Sequence, residues 1–214
     1  MIRLIKTPGP VKAIFPSILW NGNRGRKVIY LTFDDGPTAE ATPYVISMLE
    51  KYNARATFFC VGDNVRKNHS IFGDVVARGH CIGNHTFNHL NGWHERTEDY
   101  IKNIELCTEI IRSSGYPKAV KFFRPPFGKM GIGQYIKIRK SYRIVLWDIL
   151  TWDYNPGNSP VLLLRRVVRN IMPGSVVVFH DSIKSLPALQ RLLEPVLNHF
   201  TEKGFAFHAL DNEN

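Results

Sequence analysis

Residues 28–37 read VIYLTFDDGP, an apolar, β-branched and aromatic run that stops at a turn signal. A run of this composition predicts a buried strand over residues 28–33, and Gly-Pro predicts a turn soon after it. The run VVVF at residues 176–179 has the same character. Strands without polar alternation are covered on both faces, as they are in parallel sheets. The stretch therefore predicts a buried parallel strand that leads directly into Asp34 and Asp35.

Short strand-like runs and helix-like segments alternate along the chain from residue 28 onward. Strands are predicted at residues 28–33, 56–61, 80–83, 121–124, 143–149, 176–180 and 205–210, and helices at residues 43–51, 71–78, 99–112, 134–140, 160–171 and 186–203. This order predicts an α/β fold in which crossover helices join parallel strands. Seven such units suit an open doubly wound sheet or an incomplete (β/α) barrel. No glycine-rich phosphate loop follows the first strand, which disfavours a dinucleotide-binding sheet.

The first 27 residues lack this alternation, so we expect two segments of different character. Residues 1–27 are predicted to form an irregular N-terminal arm, and residues 28–214 a single catalytic domain. A chain of 214 residues is long enough for one substantial core. No apolar run reaches the roughly 20 residues of a membrane helix. Pro8, Pro10 and Lys12 interrupt the start before an apolar signal region can form, which predicts a cytoplasmic protein, with cell-envelope association as the alternative.

The chain is strongly basic, with a net charge of +10. Its basic residues are scattered along the chain, so we expect attraction to anionic surfaces and no nucleic-acid partner. The three cysteines, Cys60, Cys81 and Cys107, include no close pair. An odd and dispersed set predicts free thiols, not disulfides or a cysteine zinc site. Nothing in the pattern indicates an oligomeric state.

Polar side chains that packing does not explain follow several of the predicted strands. In parallel α/β proteins the carboxyl ends of the strands share one rim, where functional side chains gather. We therefore expect these polar side chains to converge there. In chain order they are Asp34, Asp35, His85, His89, Arg124, Asp153, His180 and Asp181.

The two closely spaced histidines and the two adjacent aspartates suit a metal site. His85 and His89 are four residues apart, so on a helical turn both imidazoles can share a cation. One carboxylate would complete the ligand set and leave coordination positions open for water and substrate. Asp34 and Asp35 point apart if the chain is extended there, so one could bind the metal while the other accepts a proton from water. The alternative is that both cap the turn before Gly36.

Five motifs occur in order along the chain, and together they are specific. Residues 32–37 (TFDDGP) resemble the first motif of the polysaccharide deacetylases, carbohydrate esterase family four, which share the nodulation-protein homology domain. Residues 85–89 (HTFNH) resemble the second motif, residues 124–128 (RPPFG) the third, residues 147–154 (WDILTWDY) the fourth and residues 176–181 (VVVFHD) the fifth. The resemblance extends from residue 28 to the C-terminus.

The resemblance implies a distorted (β/α) barrel with about seven parallel strands and a metal-dependent hydrolase. The implied metal is Zn²⁺, with Co²⁺, Ni²⁺ or Fe²⁺ as alternatives because this ligand set serves several divalent ions. Asp34 is implied to be the general base and His180 the general acid. Arg124 is implied to hold Asp34, and Asp153 to orient His180. The implied metal ligands are Asp35, His85 and His89.

The expected substrate pocket departs from the family pattern. The fourth motif has Leu150 and Tyr154 where the family usually carries an acid and a tryptophan, and the fifth has Val178 where leucine is usual. These changes alter the wall of the acetyl pocket. Asp181, beside His180, is interpreted as a turn or cap residue, with a support role as the alternative. The implied substrate-binding residues are Pro126, Phe127, Gly128, Trp147, Tyr154 and Val178.

The predicted function is hydrolytic removal of acetyl groups from an N- or O-acetylated carbohydrate. Two alternatives stay open at the level of sequence: a metal-dependent amidase of the same barrel that acts on a small non-carbohydrate amide, and a catalytically silent module that binds glycans. A glycosidase is disfavoured because its two acids flank the scissile bond. Asp34 and Asp35 are adjacent instead, and the paired histidines would have no task.

Overall fold

A curled sheet of parallel strands forms the centre of the protein. The computed structural model describes residues 4–155, 157 and 159–210, and within them the sheet has eight strands. The strands are β1 (Val28–Asp34), β2 (Thr57–Cys60), β3 (Cys81–Asn84), β4 (Phe122–Phe123), β5 (Arg143–Ile144), β6 (Ile149–Leu150), β7 (Val176–His180) and β8 (Ala206–Phe207). Seven run side by side in the order β5-β4-β3-β2-β1-β7-β6, and β8 pairs separately with β1. Every strand pairing is parallel, which confirms the predicted incomplete barrel.

Helices occupy most of the connections between strands, as crossover units require. Within the described residues they are α1 (Gly9–Ile14), α2 (Thr42–Lys51), α3 (Gly62–Lys67), α4 (His69–Ala77), α5 (Thr97–Ser113), α6 (Ile132–Ile138), α7 (Pro160–Asn170) and α8 (Leu186–Glu202), with 3₁₀ turns at Gly92–His94 and Pro126–Gly128. Helix α8 illustrates how they attach to the sheet. Its buried side chains include Leu189, Leu193, Val196 and Phe200, a stripe with helical spacing.

Strand β1 lies inside the sheet and is buried along its whole length. Its register places Asp34 opposite Phe59 of β2 on one side and opposite His180 of β7 on the other. Because the strands are parallel, their carboxyl ends face one rim. The sheet thus sets the first and fifth motifs side by side, although they lie far apart in the sequence.

The elements differ from the predicted ones in several places. Residues 1–27 are predicted to be irregular, but Gly9–Ile14 forms helix α1, which has no buried residue and therefore no apolar stripe to indicate it. The predicted strand at residues 143–149 is divided into β5 and β6, because the intervening residues leave the sheet and Val145 pairs with Leu19. The predicted last strand pairs only over Ala206–Phe207. Helix α3 was not predicted, since only Gly62 and Val65 are buried in it and it shows no apolar periodicity.

Residues 4–27, called the N-terminal arm below, lie between the edge strands β5 and β6 and form hydrogen bonds with both. The backbone N–H of Leu19 donates to the carbonyl of Ile144 at 2.9 Å, and that of Leu150 donates to the carbonyl of Ile5 at 2.8 Å. An antiparallel bridge also joins the arm to β6. The division at residue 27 stays a prediction, and the ends of the two predicted segments, residues 1–3 and 211–214, lie outside the described residues.

The cysteines are free thiols, with Cys60 and Cys107 buried and Cys81 half-buried. Burial in an apolar core raises the pKa of Cys107 to about 12, so this thiol is unreactive at neutral pH. In the part of the chain that the structure describes, no helix is both long and apolar enough to cross a bilayer.

Candidate active site

Three potential metal ligands meet at the rim where β1 and β3 end. Asp35 directly follows β1, and His85 and His89 follow β3. Asp35 Oδ1 lies 3.2 Å from His89 Nε2 and 3.7 Å from His85 Nε2. Two atoms that bind one cation at about 2.1 Å lie roughly 3.0–3.5 Å apart, so the first separation falls in the range for a shared metal and the second is slightly longer. Among residues 4–155, 157 and 159–210, this is the one group of three or more His, Cys, Asp or Glu side chains whose ligand atoms all lie within 4.8 Å of one another.

A loop, not a helix, presents the two histidines. Thr86 and His89 are in the left-handed region, with φ of 63° and 56°, so the helical turn expected from the spacing does not form. Asp35 also has a positive φ of 83°. Strained backbone of this kind concentrates at functional sites. His85 Nδ1 pairs with the carbonyl of Arg124 at 2.7 Å, which leaves its Nε2 available for a cation.

The protonation states of this group suit a metal. Burial raises the pKa of the Asp35 carboxyl, but the hydrogen bond with His89 and the positive charge of His180 contribute to outweighing it, so its pKa lies well below its usual value. Burial lowers the pKa of His85 to about 4, because the imidazolium is poorly solvated there. Near neutral pH Asp35 is therefore an anion and His85 a neutral imidazole, the forms that bind cations.

Asp34 is a buried carboxylate that forms an ion pair with Arg124. The fully buried Arg124 donates from Nη1 to Asp34 Oδ1 at 2.6 Å and to Thr32 Oγ1 at 2.8 Å. Its Nε and Nη2 donate to the carbonyls of Val145 and Leu146. A buried ion pair is tolerated when its remaining donors are satisfied in this way. Asp34 is consequently held in one orientation at the end of β1.

His180 pairs with a second buried carboxylate at the end of β7. Its Nδ1 lies 2.7 Å from Asp153 Oδ1, and its backbone N–H donates to Asp153 Oδ2 at 2.8 Å. The ring of Tyr154 packs edge-on against the imidazole, with the ring centroids 4.8 Å apart. Burial by itself lowers the pKa of His180, but the charge of Asp153 and the hydrogen bond to it outweigh burial and raise the pKa to about 9. His180 is therefore protonated at neutral pH and can act as a proton donor.

Asp181 ties the first motif to the fifth and is not a simple turn residue. Its Oδ1 accepts a hydrogen bond from the backbone N–H of Gly36 at 3.0 Å, and its Oδ2 accepts one from Thr42 Oγ1 at 2.6 Å. Its own N–H donates to the carbonyl of Asp34 at 3.0 Å. A Cβ on Gly36 would lie 1.9 Å from Asp181 Oδ2, so only glycine fits there. The sequence carried no local sign of this contact, because it depends on the register of β7 against β1.

An open cleft of about 680 Å³, called the catalytic cleft below, lies over these groups. From the motif loops it is lined by Asp34, Asp35, His85, His89, Pro125, Phe127, Gly128, Leu146, Trp147, Leu150, Trp152, Tyr154, Val178, His180, Ser182 and Lys184. From the N-terminal arm it is lined by Leu4, Lys6, Thr7, Pro8, Val11 and Trp20. Of the substrate-binding residues implied by the sequence, all but Pro126 line the cleft. Pro126 is buried, and its neighbour Pro125 lines the cleft instead.

The third-motif loop brings an aromatic ring beside the potential metal ligands. Phe127 has φ of 60° and a side chain that is 59% exposed, and its ring packs against that of His89 with the centroids 4.8 Å apart. A Cβ on Gly128 would lie 2.7 Å from the Trp147 ring. Glycine therefore allows this loop to approach the opposite wall of the cleft.

Sequence reasoning missed the part that the N-terminal arm plays in the cleft. Trp152 Nε1 donates to the carbonyl of Leu4 at 2.9 Å, and Thr7 Oγ1 donates to the carbonyl of Trp147 at 2.7 Å. These bonds hold the arm against the fourth motif. The arm has neither a motif nor a periodic pattern, so no local signal pointed to this role.

A parallel barrel whose rim combines a metal-ligand set, a guanidinium-held carboxylate and a protonated histidine defines a metal-dependent hydrolase. Comparison with known proteins narrows this class. Residues 21–142 match the family model described as polysaccharide deacetylase. A peptidoglycan-N-acetylglucosamine deacetylase of Bacillus cereus is 36% identical over 195 residues, which cover 89% of this chain and 70% of that protein. The chain belongs to the polysaccharide deacetylase family.

Two further comparisons agree with this assignment. A chitooligosaccharide deacetylase of Azorhizobium caulinodans is 35% identical over 159 residues, which cover 72% of this chain and 73% of that protein. The crystal structure of a peptidoglycan N-acetylglucosamine deacetylase superposes with a TM-score of 0.86 at 30% identity, covering 95% of each chain. The protein is thus a hydrolase that removes acetyl groups from an acetylated carbohydrate, as predicted. The family is metal-dependent, and Asp35, His85 and His89 fit that requirement.

Proposed function

We propose that this protein removes the N-acetyl group from N-acetylglucosamine residues of a peptidoglycan-type glycan. One arrangement carries the proposal: Asp34 and His180 end neighbouring strands opposite each other, next to the potential metal ligands and in an open cleft. An amine leaves only after protonation, and a histidine with a pKa near 9 can protonate it at neutral pH. An N-acetyl substrate therefore suits this site better than an O-acetyl one. Relatives named for peptidoglycan and chitooligosaccharide deacetylation point the same way.

Asp35, His85 and His89 would hold the metal, which we propose is Zn²⁺, with Co²⁺, Ni²⁺ and Fe²⁺ as alternatives. A divalent cation in such a site polarises the acetyl carbonyl and makes water more acidic. The two His Nε2 atoms and one carboxylate leave positions for substrate and water, which is the pattern of a catalytic site.

Asp34 is the general base and His180 the general acid. Asp34 takes a proton from the water that attacks the acetyl carbonyl, while Arg124 balances its charge and fixes its orientation. His180 gives its proton to the nitrogen of the departing sugar amine, and Asp153 stabilises the imidazolium before that transfer. Arg124 and Asp153 are positioning residues, because both are buried beneath the groups they hold.

The acetyl methyl group lies against the apolar wall of the catalytic cleft. Trp147, Leu150 and Val178 contribute carbon surface there, and Tyr154 adds an aromatic edge beside His180. Phe127 and Gly128 form the opposite side, and Pro126 supports that loop from below. An apolar pocket with a few convergent polar groups is typical of small acyl substituents bound for hydrolysis.

The basic surface suits an acidic cell-wall polymer. A net charge of +10 attracts polymers that carry carboxylates or phosphates, and this attraction raises the local substrate concentration. A peptidoglycan-type substrate would place the protein at the cell envelope, the alternative to a cytoplasmic location.

Acetate release over a panel of substrates tests the proposal. The panel contains N-acetylglucosamine oligomers, peptidoglycan, an O-acetylated xylan and a small aromatic acetamide. We expect acetate from the first two, loss of activity on chelation, and recovery when a divalent metal is added. Release from the small acetamide alone would favour the amidase alternative.

A matched pair of variants separates catalysis from folding in this assay. Asp34→Asn should lower kcat by about 10²-fold or more, because the base is lost while the shape is kept. Asp74→Asn, at an exposed position of α4, should leave kcat unchanged. Full activity of Asp34→Asn would refute the assigned base.

A further inference from the structure

A tryptophan outside the catalytic cleft is fixed in place while most of its side chain faces solvent. Trp93 is 64% exposed. Its backbone N–H donates to Asn91 Oδ1 at 3.1 Å, and its indole Nε1 donates to the carbonyl of Met130 at 3.2 Å. A large aromatic ring that is held in one orientation in solvent loses little conformational freedom when a ligand packs on it.

The turn that carries Trp93 is itself packed rigidly. The buried Gln134 donates from Nε2 to the carbonyl of Gly92 at 2.8 Å and to that of Glu95 at 3.1 Å. A Cβ on Gly92 would lie 2.8 Å from the carbonyl oxygen of Lys129. The 3₁₀ turn Gly92–His94 is therefore seated directly on the loop that follows the third motif.

The same loop connects Trp93 to the catalytic cleft. Phe127 lines the cleft, and Met130, which accepts the indole hydrogen bond, is only three residues further on. Three extended residues span at most about 10 Å. Trp93 is thus anchored to a loop that also forms part of the cleft wall.

A cation lies beside the same indole. The ammonium of Lys129 lies 4.8 Å from the ring centroid of Trp93, over the ring. The residue still has 64% of its surface exposed, so its orientation is fixed although little of it is covered by the protein. An aromatic ring of this kind can take a flat partner at low entropic cost.

We propose that Trp93 is a sugar-binding subsite for a part of the glycan chain beyond the residue that loses its acetyl group. A pyranose ring presents a flat face of C–H groups, which packs on the face of the indole that Lys129 does not cover. The proposal rests on the proposed function, since it requires a glycan in the catalytic cleft. It makes the protein an enzyme that prefers longer chains.

The test compares the dependence of activity on chain length in four proteins: the wild type, Trp93→Ala, Trp93→Phe and Ile132→Ala. Ile132 is 73% exposed at the start of α6 and serves as the matched control. We expect Trp93→Ala to lower kcat/KM for the N-acetylglucosamine hexamer about tenfold, mainly through KM, and to leave the dimer within about twofold. Trp93→Phe should retain most of the activity on the hexamer, and Ile132→Ala all of it.

Binding gives a second readout that does not depend on turnover. In an Asp34→Asn background, calorimetry with the hexamer should give a Kd about tenfold weaker when Trp93 is also replaced by alanine. If Trp93→Ala does not fold, Trp93→Leu takes its place, because leucine keeps apolar bulk but has no flat face. Leucine should then weaken hexamer binding while phenylalanine preserves it.

The outcomes distinguish the subsite from the proposed function. A wild type that releases no acetate from any N-acetylglucosamine oligomer would end the proposed function, and the subsite with it. An active wild type whose ratio to Trp93→Ala is the same for dimer and hexamer would overturn the subsite alone. A loss in Ile132→Ala equal to that in Trp93→Ala would assign the effect to a wider apolar surface and would also overturn it.

Discussion

At the scale of single residues, the contact between Gly36 and Asp181 is the tightest constraint near the site. Gly36→Ala would place a methyl carbon 1.9 Å from Asp181 Oδ2, and neither side can move freely because Asp181 is fully buried. We expect a loss of about 2–3 kcal/mol in the free energy of unfolding, measured by urea titration, together with weaker metal binding. Gly73→Ala, in α4 with open space around it, should be neutral or slightly stabilising. Equal stability of the two variants would contradict this reading of the contact.

The His180–Asp153 pair makes a prediction about pH. Because the pKa of His180 is raised to about 9 in the fold, the imidazolium persists at neutral pH and is lost as pH rises through that value. The activity should therefore have an alkaline limb above neutral pH. The raised pKa also affects stability. The His180–Asp153 pair stabilises the fold fully at pH values below the unfolded-state pKa of histidine, about 6.5, and this stabilisation disappears as pH rises through the pKa of His180 in the folded protein.

Asp153→Asn tests this assignment. Loss of the carboxylate should move the alkaline limb of kcat down by roughly one to two pH units and lower the maximal kcat about 10²-fold. The profile of kcat against pH is the measurement. Asp74→Asn again serves as the control and should leave the profile in place. An unmoved limb in Asp153→Asn would assign the limb to another group.

Residue types at strand ends could be predicted from the sequence, but their contacts could not. The polar side chains after β1, β3, β4 and β7 do share one rim, because parallel strands bring their carboxyl ends together. Asp181 was interpreted as a turn or cap because only the pairing of β7 with β1 brings it to Gly36. The histidine spacing suggested a helical turn, whereas Thr86 and His89 adopt left-handed conformations that no propensity predicts.

At the scale of elements, the N-terminal arm depends on one buried carboxylate. Asp148 is fully buried and accepts hydrogen bonds from Lys12, from Arg24 Nη2 at 2.9 Å and from Ser175 Oγ at 2.6 Å. Burial raises its pKa, but the bonds from Lys12, Ser175 and Arg24 outweigh burial, so its pKa is lowered. These hydrogen bonds to Asp148, called the clamp below, therefore stabilise the fold at neutral pH, and this stabilisation is lost as pH falls through the acidic range.

Asp148→Asn should loosen this clamp and cost about 2–4 kcal/mol in the free energy of unfolding, because two cations lose a buried partner. Urea titration at pH 7 measures the loss, which should shrink at low pH, where the wild-type carboxyl is also neutral. Asp63→Asn removes a surface carboxylate that pairs with Arg66 and Lys67, and should change stability by less than about 1 kcal/mol. If the difference in the free energy of unfolding between Asp148→Asn and Asp63→Asn did not change with pH, this result would argue against the clamp.

Long elements with strong patterns were predictable, and short ones were not. Helices α5 and α8 were predicted close to their observed bounds, because each presents an apolar stripe over many turns. Strands β5 and β6 have two residues each, and their separation depends on pairing with the N-terminal arm. No local pattern encodes a partner that lies more than a hundred residues away.

At the scale of the whole molecule, the metal site links separate parts of the barrel. Asp35 comes from the end of β1, and His85 and His89 from the loop after β3, with β2 between these strands. An ion that binds the folded protein and not the unfolded chain stabilises the fold by mass action. We expect metal removal by a chelator to lower the Tm by roughly 5–10 °C and re-addition to restore it.

Variants of two histidines sharpen this prediction. His89→Ala should abolish the increase in Tm on metal addition, because it removes a ligand. His94→Ala, on the neighbouring 3₁₀ turn and outside the ligand group, should retain the increase. Differential scanning calorimetry with and without metal is the measurement. An increase that survives in His89→Ala would place the metal elsewhere.

The fold class was predictable because several independent patterns agree on it. Buried apolar strands, helical connections and motifs at several strand ends all indicate a parallel barrel, and relatives confirm it. The closure of the barrel was not predictable, since it depends on the irregular N-terminal arm. The identity of the glycan depends on the walls of the cleft, to which that arm contributes.

The position of β1 has a consequence for the order in which the protein is assembled during synthesis. Strand β2 follows β1 closely in the chain and can pair with it soon after both are made, but β7, the neighbour on the other side of β1, follows much later. The N-terminal arm likewise waits for β5 and β6. The N-terminal arm is thus made well before the strands it pairs with, which favours slow, late closure of the barrel. A nascent chain that stops before β7 would leave one edge of β1 with unpaired backbone N–H and C=O groups, and this is the intermediate that chaperones would be expected to hold.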